Sequence, residues 1–310
     1  MIALFEKIVR SSMRSWRERL TNKAAFLAPA LLLAGCSDEP SEPAPDPSPL
    51  VYQISNSDGD VEGWMLGTIH ALPDGVEWRT QTINRVIHDA DLLIVEIAKL
   101  DDPDTHARIY ADLAYSTDLP NLALRLPPSQ RPALKDLIER SGLPFDQLAT
   151  IETWAAALAL AQVGGDSDPE NGVDRAVIQD FDGREVQEFE GILKQMSVFD
   201  SLPEREQRDL LSAVVEDSDE MLESMQGLRN AWLTGDLAVL EDITNTGLMA
   251  DKELRDALLV DRNREWMDRL TAALLDTDKP LVAVGAAHLI GPDSLKVLLE
   301  QRGYTVTRLH

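Results

Sequence analysis

Two short apolar runs near opposite ends of the chain constrain its fold most. They are Asp91-Leu92-Leu93-Ile94-Val95-Glu96-Ile97-Ala98 and Lys279-Pro280-Leu281-Val282-Ala283-Val284-Gly285. Neither alternates with polar residues, so each reads as a strand covered on both faces, the habit of parallel strands inside α/β sheets. Leu50–Ile54 and Glu62–Ile69 are strand-like too. The Asn56-Ser57-Asp58-Gly59 between them is a hairpin signal. Gln81–Asp89 reads as a short helix, Arg184–Phe189 as a strand and Tyr304–Leu309 as a closing strand. Helical patterns occupy about 103–116, 128–141, 151–163, 172–181, 191–199, 203–215 and 217–233, then Asp251–Leu275 and Pro292–Arg302. The expected fold class is therefore α/β (α+β), a central sheet with a large helical insertion.

A chain of 310 residues is long enough for one large domain or two small ones. Its formal net charge of -25 argues against nucleic-acid partners, because a phosphate backbone would repel it. The charged helices around Glu204–Glu223 and Asp236–Asp256 read as solvated faces. A single cysteine, Cys36, excludes both an intrachain disulfide and a cysteine-rich metal cluster. Nothing in the sequence indicates an oligomeric state.

That cysteine closes an export signal. The first 35 residues carry six basic and two acidic side chains, and Ala24–Gly35 (AAFLAPALLLAG) is apolar. The run is shorter than the roughly 20 residues a membrane-spanning helix needs, and small residues precede the cut site. Leu33-Ala34-Gly35-Cys36 resembles a bacterial lipobox, which implies a signal peptide over 1–35 and lipidation of Cys36. Residues 36–49 form an acidic, Pro-rich tether, and the folded domain is expected over 50–310. Met1 and Met13 both serve as candidate starts. The expected location is the outer membrane facing the periplasm, with the lipid as the membrane contact.

Two Gly-x-x-His elements carry the chemical argument: Gly67-Thr68-Ile69-His70 and Gly285-Ala286-Ala287-His288. Each follows an apolar strand, and ligands of α/β sheets gather beyond the carboxyl ends of strands. The third member is Glu96, a carboxylate in an apolar run that needs a partner. Two imidazoles and a carboxylate form a known metal-ligand set, each donor about 2.0–2.2 Å from a shared ion. The alternative has His70 and His288 as satisfied histidines of the core or surface and Glu96 paired with an arginine. His88, His106 and His310 are weaker candidates. Trp154, Trp232 and Trp266 read as core. Asp174 reads as a cap or a lining residue of the cleft, the cap being the simpler role. No His-Glu-x-x-His, Gly-x-Ser-x-Gly, Walker A or Gly-x-Gly-x-x-Gly motif is present.

Five stretches in order resemble landmarks of the TraB/GumN family, which includes the PrgY pheromone-shutdown proteins and resembles the Tiki metalloproteases. They are Met65-Leu66-Gly67-Thr68-Ile69-His70, Asp91–Glu96, Leu258–Asn263, Val284–Gly291 and Gly303–Val306, with Thr153-Trp154, Gly172-Val173-Asp174, Glu190 and Gln195 between them. Ala287 stands where the family usually has Gly or Ser, and Asp261 where it often has Glu. The resemblance implies a fold akin to the erythromycin-esterase and ChaN-like proteins. For its Tiki-like members it implies peptidase-like hydrolysis dependent on a divalent metal (Mn, Co or Zn), with a peptide or protein as substrate. Carried over, His70 and His288 are metal ligands and Glu96 is a ligand or general base. Arg262 and Asn263 would hold a substrate carboxylate or an oxyanion, and Glu190 is the weaker proton carrier or substrate contact. The alternative is a lipoprotein that binds a peptide, a pheromone or a haem-like ligand without chemistry; a structural envelope protein is the third reading.

Overall fold

The computed structural model describes residues 46–310, except 117, 118, 145–147, 149, 217–220 and 277. The export signal, Cys36 and most of the tether lie outside the described residues.

Six strands form one mixed sheet in the order β4-β3-β5-β2-β1-β6. They are β1 (Val51–Ser55), β2 (Val61–Thr68), β3 (Leu92–Val95), β4 (Glu185–Glu188), β5 (Pro280–Gly285) and β6 (Thr305–Leu309). Strands β2, β5, β3 and β4 run parallel, and β1 is antiparallel to both β2 and β6. The two apolar runs become the adjacent central strands β3 and β5, paired Leu93↔Leu281 and Val95↔Ala283. All four residues of β3 are buried. The edge strand β4 instead alternates exposed and half-buried residues and carries glutamates at both ends, which blunts edge pairing. The first hairpin turns at Asn56–Asp60, where Gly59 takes φ +88°, a left-handed conformation glycine adopts without strain.

The helices match the sequence pattern closely. They comprise α1 (Gln81–Asp89), α2 (Pro103–Ala114), α3 (Arg131–Ser141), α4 (Thr153–Leu160), α5 (Val173–Asp180), α6 (Gly191–Asp200), α7 (Glu204–Glu216) and α8 (Met221–Thr234). Thr80 caps α1 by accepting from the Ile83 amide, and Ile83, Val86 and Ile87 turn its apolar face to the sheet. After α8, Gly235 and Asp236 break the chain, and Asp236 caps a further helix, α9 (Leu237–Ile243). The pattern at Asp251–Leu275 predicts one helix. The structure divides it into α10 (Lys252–Arg255), a π-helical turn at Asp256–Val260, and α11 (Asp261–Leu274). The closing helix α12 (Leu295–Gln301) starts later than its apolar pattern, at the Ser294 cap.

Two hydrophobic clusters result. One surrounds the sheet and includes Trp232 and Trp266; the other fills the helical insertion around Trp154, which stacks on Phe199 at 6.1 Å. This is the expected division into a sheet and a helical insertion.

Candidate functional site

The carboxyl ends of the parallel strands converge, as open α/β sheets require of a ligand site. His70 lies two residues past β2, Glu96 one past β3, His288 three past β5, and Glu190 two past β4. The point that a Cβ on Gly285 would occupy lies 3.2 Å from Glu96 Oε1, 3.5 Å from His70 Nε2 and 3.8 Å from His288 Cδ2. Strands β2 and β5 are neighbours, so the two Gly-x-x-His elements sit side by side, with Thr68 paired to Gly285. Gly285 leaves the space among the three side chains open.

Each imidazole is held through Nδ1. His70 Nδ1 lies 2.7 Å from Asp174 Oδ2, and the other Asp174 oxygen accepts from Thr68 Oγ1 at 2.5 Å. The carboxylate fixes the proton on Nδ1, which turns the Nε2 lone pair toward the cleft. Asp174 is thus not a helix cap: the N-cap of α5 is Gly172, with no side-chain cap. Gly172 is required there, because a Cβ would overlap the His70 carbonyl oxygen, and Val173 N donates to Ile69 O at 2.9 Å. The start of α5 is docked onto the His70 loop by these contacts. Burial pushes the Asp174 carboxyl up, but His70 and Thr68 outweigh it and lower its pKa.

His288 is held by Asn263, whose Oδ1 lies 2.6 Å from Nδ1 while its Nδ2 donates to Asp293 O at 2.9 Å. The amide oxygen must therefore accept, so His288 carries its proton on Nδ1. Trp266 lies against the ring, with centroids 4.4 Å apart. Asn263 is fully buried and committed to these two bonds. It orients an imidazole and does not reach the cleft as a substrate contact.

The buried cation at the centre of the cluster is Arg262. Its Nη2 donates to Glu96 Oε2 at 2.6 Å and to Glu190 Oε1 at 2.5 Å, and its Nη1 donates to Leu258 O at 2.9 Å and lies 3.3 Å from His288 Nε2. The π turn brings this about. A π turn adds a residue to the helical register, and here Leu258–Val260 and the pair Arg262–Asn263 are all buried. Glu96 is bonded at both oxygens: Oε1 accepts from Gly285 N at 2.8 Å, and Oε2 also accepts from Gln195 Nε2 at 2.9 Å. Burial pushes the Glu96 carboxyl up, but Arg262, His288 and His70 more than offset it and hold it well below the usual carboxylate range. Glu190, buried beneath Arg262 and Trp266, is raised by burial against the pull of Arg262.

The expected ligands His70, His288 and Glu96 thus come together, and Glu96 also has the arginine partner of the alternative reading. A metal requires free lone pairs at one point. Here the Arg262 guanidinium faces His288 Nε2 and takes one Glu96 oxygen, so two of the three donors are turned to a cation already present. Among the described residues no group of three or more His, Cys, Asp or Glu side chains is arranged to hold a metal ion. The residues in this arrangement do not fit a bound ion.

Two chambers meet at His70. A cavity of about 300 Å³ lies between the sheet cluster and the helical cluster, walled by Leu158, Phe199, Trp232, Leu240, Met249 and Leu259 among others, with His70, Glu96, Arg262 and His288 also on its lining. A smaller chamber of about 40 Å³ is lined by His70, Glu96, Asp174, Arg175 and Gln195, large enough and polar enough for water. Trp232 is therefore a cavity wall as well as core, while Trp154 is core alone. His88 is exposed, and His106 is buried in α2, within the helical insertion.

Burial pushes the His288 imidazole down, with Arg262 and His70 adding to the effect against Glu96, to a pKa of about 3. The folded state thus keeps this ring neutral while the unfolded chain protonates it near 6.5. Its contribution to stability is complete above pH 6.5 and is lost as pH falls from 6.5 toward 3, at up to about 1.4 kcal/mol per pH unit. Glu190, raised, acts in the opposite direction. Urea unfolding at pH 7.5 and pH 5 should show a larger acid loss in the wild type than in His288→Leu; equal losses would contradict a neutral buried ring.

The fold and site define a mixed α/β protein with a polar, charge-paired cluster at the carboxyl ends of its parallel strands. The chain belongs to the TraB/PrgY/gumN family, whose family model matches residues 50–308. Comparison with curated proteins and with solved structures found no significant match.

Proposed function

We propose that the protein is a hydrolase of carboxylic esters or amides in which His70 is the general base. One observation carries this reading: the His70 ring has its Nδ1 hydrogen on the Asp174 carboxylate, and His70 lines both a water-sized chamber and a substrate-sized cavity. A water in the small chamber attacks the carbonyl carbon and gives its proton to His70 Nε2. The carbonyl oxygen takes the electron pair as an oxyanion, whose charge Arg262 offsets only at a distance, because its N–H groups stay on Glu190, Glu96, Leu258 and His288. Collapse of that intermediate breaks the bond to the leaving group, which takes the proton from His70. Glu96 and Glu190 hold Arg262 in place, Gln195 tethers Glu96, and Asn263 orients His288.

The setting of this activity rests on the sequence: a lipid on Cys36 tethers the domain to the outer membrane, facing the periplasm. The peptide substrate and the divalent-metal requirement of Tiki-like proteins become arms of the test. Purified protein is assayed against chromogenic esters and peptide amides, with chelator and with added Mn, Co or Zn, alongside His70→Ala. Turnover that persists in chelator and disappears in His70→Ala supports the reading. Turnover that needs an added ion, or that survives His70→Ala, overturns His70 as a metal-independent base.

A further inference from the structure

The larger cavity is lined mostly by apolar side chains. Its charged and imidazole-bearing walls, His70, Glu96, Arg262 and His288, belong to the reacting cluster described above. The other polar side chains on its lining are already committed. Thr68 Oγ1 donates to Asp174, Thr244 Oγ1 donates to Glu241 O at 2.8 Å, and Trp232 Nε1 donates to Gly67 O at 2.8 Å. Elsewhere the wall is aliphatic and aromatic: Leu158, Phe199, Leu228, Leu240, Ile243 and Met249. A peptide threaded into this space would leave its amide N–H and C=O groups without partners, a cost that a group lacking hydrogen-bonding atoms avoids. Its volume of about 300 Å³ sits at the lower end of small-molecule sites.

We infer that this cavity is an acyl-chain pocket, and that the substrate is an ester or amide whose acyl side is an aliphatic chain of moderate length. The chain lies among Leu228, Leu240, Ile243 and Met249, and the carbonyl rests at His70. The inference builds on the hydrolase reading and adds the substrate class. It also explains why a cavity persists between two well-packed clusters: each contributes one wall, Trp232 and Leu240 from the sheet side, Leu158 and Phe199 from the helical side.

Two measurements on the full folded domain separate the two claims. Saturated fatty acids of increasing length are titrated against tryptophan fluorescence, and p-nitrophenyl esters of the same acids are assayed for turnover. Affinity and kcat/KM should each rise about fourfold per added methylene until the cavity is full, and then level off. Ile243→Trp and Met249→Trp, two half-buried wall positions outside the reacting cluster, should each move the plateau to shorter chains; using both guards against one failing to fold. Length-dependent binding without turnover of any ester or amide would uphold the pocket and sink the hydrolase reading. Turnover indifferent to acyl length, or equal for peptides and acyl esters, would sink the pocket and leave the hydrolase standing.

Discussion

Asp174→Asn should lower kcat by about 10²–10⁴-fold while leaving KM and the circular-dichroism spectrum near wild type. Among the described residues the carboxylate contacts only His70 and Thr68 through its side-chain oxygens, so its loss acts through the His70 ring. An amide there donates as readily as it accepts, so it no longer holds the proton on Nδ1. Thr68→Val removes one support of the carboxylate and leaves the imidazole contact, so its effect should be smaller. A merely structural role for Asp174 would instead lower the melting temperature and leave kcat of the surviving folded protein unchanged. A kcat for Asp174→Asn within about threefold of wild type would remove His70 as the base.

The second large effect concerns stability. Arg262→Met should destabilise the fold by about 3–5 kcal/mol, because it leaves two buried carboxylates facing each other without a cation. Glu96 is 5 % exposed, and the Glu190 side chain is fully buried. The triple variant Arg262→Met, Glu96→Gln, Glu190→Gln removes the charges together and should recover most of the loss in urea unfolding. The sign with pH follows from Glu96. Its lowered pKa contributes stability above the ordinary carboxylate value and loses it as pH falls through the depressed one, so the single variant should lose that acid dependence. A cost below about 1 kcal/mol for Arg262→Met would mean that Arg262 does not hold these charges in the core.

The sheet was readable because its central strands lack alternation. Leu92–Val95 and Pro280–Gly285 are strands inside the expected runs, and Gln81–Asp89 is a helix at the expected residues. The site was partly readable for a related reason: strand ends are local features, and His70, Glu96 and His288 stand just beyond them. What joins them was not. His70 and Asp174 are separated by 104 positions, and Gly172-Val173-Asp174 carries a local signal that favours capping. The π turn was hidden because Asp256–Val260 is apolar enough to continue a helical pattern without interruption. Arg262 and Asn263 were singled out, but their roles are inward: a wedge between two carboxylates and a clamp on an imidazole.

The order of the sheet has a consequence for when chemistry becomes available. His70 is made early and His288 near the end, yet their strands, β2 and β5, are immediate neighbours. Long-range pairing of this kind closes only after the intervening loop entropy has been overcome. A chain synthesised only as far as Met249 therefore lacks Arg262, His288 and the central strand β5. On the proposed reading the site is complete only when its final segment arrives, a timing written into strand order.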